Sequence, residues 1–244
     1  MKKKLLFPLL STSILLPVIS LSCSTVETYD EKSGLYYETI DTKIVNEDTG
    51  EEQILKEIII TGISFYNKKE EKFINNESEL IIPDKINDLN VVSIQKNAFS
   101  GSKIKTLKLG KNIRSIGSSA FENMQNLTNV DLSDSNIVII PTKTFFNTPK
   151  LSNVIFSEKT TIIGDNAFQN SNNSELTISF INKTTSTDGK DKSPEFSISS
   201  TAFESLNENA KIKFININQL SFENSNPNND WRTKTNAIIE FKQI

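Results

Sequence analysis

Ile116-Gly117-Ser118-Ser119-Ala120-Phe121 is followed, after a polar turn, by Leu127-Thr128-Asn129-Val130-Asp131-Leu132. The first half is an isoleucine, three residues, then a small residue and Phe. It recurs as Ile94-Gln95-Lys96-Asn97-Ala98-Phe99, Ile140-Pro141-Thr142-Lys143-Thr144-Phe145, Ile163-Gly164-Asp165-Asn166-Ala167-Phe168 and Ile198-Ser199-Ser200-Thr201-Ala202-Phe203. The phenylalanines stand 22, 24, 23 and 35 residues apart. The second half alternates with period two: Leu107-Lys108-Leu109, Val130-Asp131-Leu132, Val154-Ile155-Phe156, Ile178-Ser179-Phe180 and Ile212-Lys213-Phe214. Such alternation of aliphatic and aromatic residues is a strand pattern. A unit this short cannot bury its own apolar face, so neighbouring units must stack around a shared core. The spacing predicts a β-rich repeat solenoid of about five coils of ~23 residues, with parallel strands and aligned phenylalanines inside.

The Ile-x-x-x-Ala-Phe unit with its following Leu-x-x-Val-x-Leu resembles the BspA-type leucine-rich repeat of bacterial and protist surface proteins. The lead-in Leu80-Ile81-Ile82-Pro83 with Asn90-Val91-Val92-Ser93-Ile94 is similar to that family's approach to its first Ala-Phe. Ile60-Thr61-Gly62-Ile63 resembles the start of such arrays. The resemblance implies a BspA-like leucine-rich repeat array used for protein binding or adhesion at the cell surface, including to host extracellular-matrix or plasma proteins. Two departures stand out. The family often places a cysteine shortly after Ala-Phe, and none occurs here. Thr144 replaces Ala beside a second aromatic, Phe146, so looser or shifted packing is expected in that coil.

Open solenoid ends expose apolar core and strand edges, so caps are expected. The repeats are assigned to residues 80–219, with the polar insertion 182–195 looping out between coils. Residues 35–79, with Leu35-Tyr36-Tyr37 and Ile58-Ile59-Ile60, form the N-terminal cap. Residues 220–244 form the C-terminal one, with Trp231 packing over the last coil and Asn224 to Asn229 as a loop.

The chain opens Met1-Lys2-Lys3-Lys4 and runs apolar from Leu5 to Leu21, the layout of a secretory signal. Pro8, Pro17 and several hydroxyl residues weaken a transmembrane reading. Ser20-Leu21-Ser22-Cys23 resembles the lipobox of bacterial lipoproteins, although Ser20 stands where that pattern has an aliphatic residue. The resemblance implies a signal peptide at 1–22 and lipid attachment at Cys23, holding the protein on the extracellular face of the cell membrane. Two or more acyl chains at ~0.8 kcal/mol per buried CH₂ make such an anchor stable. Residues 23–34 then serve as a polar tether. The alternative is a secreted protein with a free cysteine. Abundant Ile and Asn and a lone Trp accord with an AT-rich, mollicute-like source.

The 244 residues include 27 Lys+Arg against 30 Asp+Glu; without the first 22 they leave 24 against 30. A mildly acidic body lacking a basic domain argues against nucleic acid. There is no histidine, which removes the commonest general base, the commonest metal ligand and every Ser/His or Cys/His pair. One cysteine rules out an intrachain disulfide and any multi-cysteine metal site. Phosphate-loop, dinucleotide and nucleophile-elbow motifs are absent. Asp131 and Asp134 read as a solvated turn, and Asp188-Gly189-Lys190-Asp191 lacks the spacing of a calcium loop. We therefore expect no catalysis, no metal and no cofactor.

Binding is expected on residues that alternate with the buried ones. These are Thr106 and Lys108, Asn129 and Asp131, Asn153 and Ile155, Thr177 and Ser179, and Lys211 and Lys213. They form an extended polar strip of mixed charge with one exposed aliphatic, of the kind solenoids use to engage proteins. Two rival functions remain. A solute-binding lipoprotein of a transport system predicts a closed apolar-lined pocket, and a structural surface protein predicts no ligand at all.

Overall fold

The computed structural model describes residues 26–46, 49–64, 78–171, 175–180, 197–206, 208, 210–215, 231–232, 235 and 237–242, and the backbone alone of 66–67, 72–73 and 233. The expected signal peptide 1–22, the lipid site Cys23, the insertion 182–195 and the loop Asn224 to Asn229 lie outside the described residues.

Period-two alternation builds one long ladder. Its strands in chain order are β6 (Glu79–Ile82), β9 (Thr106–Leu109), β11 (Asn129–Asp131), β13 (Asn153–Phe156), β15 (Glu175–Phe180), β17 (Lys211–Ile215) and β18 (Ile238–Lys242). All seven pair in parallel with their sequence neighbours. Successive side chains point to opposite faces, so Leu80, Leu107, Val130, Val154, Ile178 and Phe214 go inward and are fully or almost fully buried. The ladder runs further than the five strands read from the sequence. Glu79–Ile82 is its first rung, and Ile238–Lys242, assigned to the C-terminal cap, is its last. Both alternate correctly but lack an Ala-Phe unit of their own.

The isoleucines of the Ala-Phe unit make short strands on the opposite side: β10 (Ser115–Ile116), β12 (Ile139–Ile140), β14 (Ile162–Ile163) and β16 (Ser197–Ile198). β12, β14 and β16 pair in parallel, and β10 pairs with β8 (Leu89–Ile94). The turns that follow form a third ladder. Phe99 N–H donates to Ala120 O at 2.9 Å, Phe121 to Thr144 at 3.0 Å, Phe145 to Ala167 at 2.8 Å and Phe168 to Ala202 at 2.8 Å.

These tight turns require left-handed backbone at two points. One is the residue before the Ala position, Asn97, Ser119, Lys143 and Asn166, with φ between 54 and 62°. The other lies two residues after the Phe, at Gly101, Asn123, Asn147, Asn170 and Ser205. Asn and Gly tolerate this region, which explains their recurrence there.

Between the ladders the phenylalanine rings stack. Phe99, Phe121, Phe145, Phe168 and Phe203 follow one another at 5.6, 5.5, 5.3 and 5.2 Å between centroids, with interplanar angles of 7 to 24°. Trp231, 2% exposed, closes the column 5.2 Å from Phe203, so it packs over the last repeat as expected. Coil three meets its expectation in part. Thr144 is fully buried and donates its hydroxyl to Pro141 O at 2.7 Å, so the column passes through without wider spacing, while Phe145 and Phe168 make the widest interplanar angle in it, 24°. A hydroxyl that bonds within its own turn occupies the alanine site at little cost.

At the other end β1 (Thr28–Asp30), β2 (Leu35–Val45) and β3 (Glu52–Ile63) form an antiparallel meander. β3 joins β8 in parallel through Ile58↔Val91 and Ile60↔Ile94, burying Leu35, Ile58 and Ile60 over the first coil. Part of the segment assigned to the tether is therefore ordered strand. Gly34, at φ 75°, reverses the chain so that Thr28 lies opposite Tyr37. Two small hairpins complete the described strands. β4 (Tyr66–Asn67) pairs with β5 (Lys72–Phe73), and β7 (Lys85–Ile86) pairs with β8 across Asn87 and Asp88. Both of those turn residues have positive φ, as a two-residue hairpin of this kind demands.

Candidate functional site

The outward face of the seven-stranded sheet carries the strip expected from sequence. Strand register sets which side chains stand level. Thr106, Asn129, Asn153 and Thr177 form one column, extended by Glu79 before and by Lys213 and Glu240 after. Lys108, Asp131, Ile155 and Ser179 form the next, extended by Ile81, Ile215 and Lys242. One rung departs from the expected order. Lys211 stands level with Glu175, and Lys213 takes the place beside Thr177. The cause lies in the core: β15 begins at Glu175, Leu176 pairs with Ile212, and Ile178 therefore meets Phe214.

The slip changes the surface. Ile215 enters the second column, and Ile81 (55% exposed) lies at its head, so the aliphatics there number three rather than one. Among the described residues, four ion pairs lie on this face, either side of its middle strand. Lys108 Nζ is 3.2 Å from Asp131 and 3.0 Å from Asp134. Lys213 is 2.7 Å from Glu175, and Lys211 is 3.7 Å from Glu240. Hydrogen bonds donated to Asp134, then to Asp131, hold the Lys108 ammonium above its ordinary pKa. Burial pushes the Asp131 carboxyl up, but the hydrogen bonds from Ser133 and Lys108 outweigh it and leave it below the usual range. The Glu175 hydrogen bond likewise raises Lys213 against a smaller desolvation effect. Asp131 and Asp134 are thus both engaged by one lysine. Between the two charged groups lie Asn153, Ile155, Thr177 and Ser179, all uncharged and half-buried.

The residues missed from sequence were Glu79, Ile81, Ile215, Glu240 and Lys242. The signal that could have found them was the alternation Leu80-Ile81-Ile82 and Ile239-Glu240-Phe241, which continues the ladder where the phenylalanine motif stops.

No curated protein matches the chain. Among solved structures it is similar to a leucine-rich repeat protein of T. pallidum at 17% identity, covering 71% of this chain and 68% of that one with a TM-score of 0.42. A leucine-rich repeat protein from Bacteroides capillosus is 20% identical over 61% of this chain and 92% of its own, with a TM-score of 0.44. A leucine rich cell surface protein from Faecalibacterium prausnitzii is 16% identical over 80% and 56%, with a TM-score of 0.37. The family model of the BspA type leucine-rich repeat region matches residues 60–189 in six copies. That match spans more than half of the sequence and takes in the coils from β6 to β15: the chain belongs to the BspA type leucine-rich repeat family.

Proposed function

We propose that this protein is a surface-anchored lipoprotein whose repeat array binds a protein partner through the outward face of the seven-stranded sheet, acting in adhesion to host extracellular-matrix or plasma proteins. The observation that carries the reading is the uncharged centre of that face. Asn153, Ile155, Thr177 and Ser179 lie between lysines already paired with their own carboxylates, which matches the charge-depleted centre of protein interfaces. The spine behind it is filled by rings stacked at 5.2 to 5.6 Å, which disfavours solute capture within the array. Anchoring is supported by the basic head, the apolar run and Cys23.

The test is a panel of immobilised extracellular-matrix and plasma proteins probed with the full chain in detergent, beside Ile155→Asp. Saturable binding by the natural chain, lost in Ile155→Asp at unchanged melting temperature, is expected. Equal binding by the variant places the contact elsewhere. Saturable uptake of a small molecule without protein binding favours the solute-binding alternative.

A further inference from the structure

β2 and β3 continue beyond the array as a two-stranded ribbon. β3 meets β8 only around Ile58 to Ile60, and β1 covers β2 only from Leu35 to Tyr37. Among the described residues, β2 from Glu38 to Val45 therefore has β3 as its single strand neighbour. Backbone parity says which groups lie at the open edge. Asn46 N–H donates to Glu51 O at 2.8 Å. In an antiparallel pair, hydrogen-bonded partners recur every second residue, so Ile44, Thr42 and Ile40 direct their N–H and C=O towards β3. Thr39, Asp41, Lys43 and Val45 direct theirs outward.

An edge of this kind invites another strand, and natural edges are commonly blunted by charge. Here the charges do the opposite for one particular visitor. We propose that Thr39 to Val45 pairs antiparallel with the same segment of a second copy, about a twofold axis at Thr42. In that register the outward backbone groups of Asp41 face those of Lys43 in the other copy, and Thr39 faces Val45. Each Asp41 side chain then stands opposite a Lys43, and each Ile40 opposite an Ile44, the opposite-charge and aliphatic cross-strand pairs that stabilise sheets. Ile44 and Val45, both exposed large aliphatics at the ribbon tip, become covered. Lys43 already bonds Glu52 at 2.5 Å within its own ribbon and would sit between two carboxylates. A closed twofold contact of this type uses one self-complementary patch and ends at the dimer.

So short an edge is small beside the ~800 Å² per partner of a standard interface, so association is expected at roughly micromolar concentrations. The experiment is sedimentation velocity of the purified full chain in mild detergent over a concentration series, with Asp41→Lys, Lys43→Asp and the double exchange. The natural chain should shift from monomer to dimer. Each single variant, facing like charges, should weaken association by about tenfold or more, and the double exchange should restore it. Both side chains are exposed, and unchanged circular dichroism shows that the variants fold. A natural chain that stays monomeric to about 100 μM would overturn the proposal. So would a dimer indifferent to the single exchanges, or a double exchange that fails to restore it.

Discussion

Gly117 shows how close the coils lie. A Cβ at that position would stand 2.2 Å from Lys96 N and 2.6 Å from Lys96 Cα, both backbone atoms of the preceding coil. Its own N–H donates to Ile94 O at 2.8 Å, so the contact is held from both sides. Gly101 differs in kind. It has φ +73°, and nothing lies within 4 Å of its missing Cβ. Gly101→Ala is expected to cost only the left-handed backbone penalty, about 1–2 kcal/mol. Gly117→Ala forces two coils apart and should cost roughly 3 kcal/mol or more. Urea unfolding of the two variants separates the effects; equal losses would mean that coil spacing is not set at Gly117. Neither role is legible in sequence. Gly117 follows an isoleucine just as Gly164 does, and only the neighbouring coil reveals what a methyl group would strike.

At the scale of elements, the meander is tied to the array by charge as well as by packing. Arg114, in the coil between β9 and β10, reaches Glu57 on β3 with Nη1–Oε1 at 3.0 Å and Nη2–Oε2 at 2.5 Å. Glu57 is 5% exposed at its side chain and Arg114 35%. Burial pushes the Glu57 carboxyl up, but hydrogen bonds from Arg114 and Thr42 and the guanidinium charge outweigh it, and the net pKa lies below the ordinary value. A carboxyl with a depressed folded pKa adds stability above its unfolded pKa, about 4.3, and that increment is lost as pH falls through the folded value. Arg114→Ala, which strands a buried carboxylate, is expected to cost about 2–4 kcal/mol at neutral pH. Chemical denaturation between pH 7 and 3 should show Glu57→Gln starting lower than the natural protein and falling less steeply below about pH 4.5. Parallel curves would remove Glu57 from the acid response. The strands that meet here were readable as strand-like runs, whereas a pairing between residues 57 and 114 was not. It arises because β3 enters the opposite-side ladder next to β8, and no local pattern encodes that neighbour.

For the whole molecule, the proposed anchor and the repeat face bear on each other. β1 begins at Thr28, so only a few residues separate Cys23 from ordered sheet. A lipid at Cys23 would hold the meander close to the membrane and leave little tether to swing on. In a detergent phase-partition assay the natural chain is expected in the detergent phase and Cys23→Ser in the aqueous phase. Retention of the variant with detergent would point instead to an uncleaved apolar segment.

The amino-acid order alone determined the coil. Its recurring Ile, Ala-Phe and alternating aliphatics need one another for burial, and stacking at that period is the arrangement that buries them all. The tertiary structure decided the register of β15 against β17, the extra rungs at both ends, the full burial of Thr144 and the bond from Arg114 to Glu57. Those outcomes depend on which side chains meet across a gap between coils. Water exclusion rewards several local patterns almost equally, and only the assembled neighbours distinguish among them.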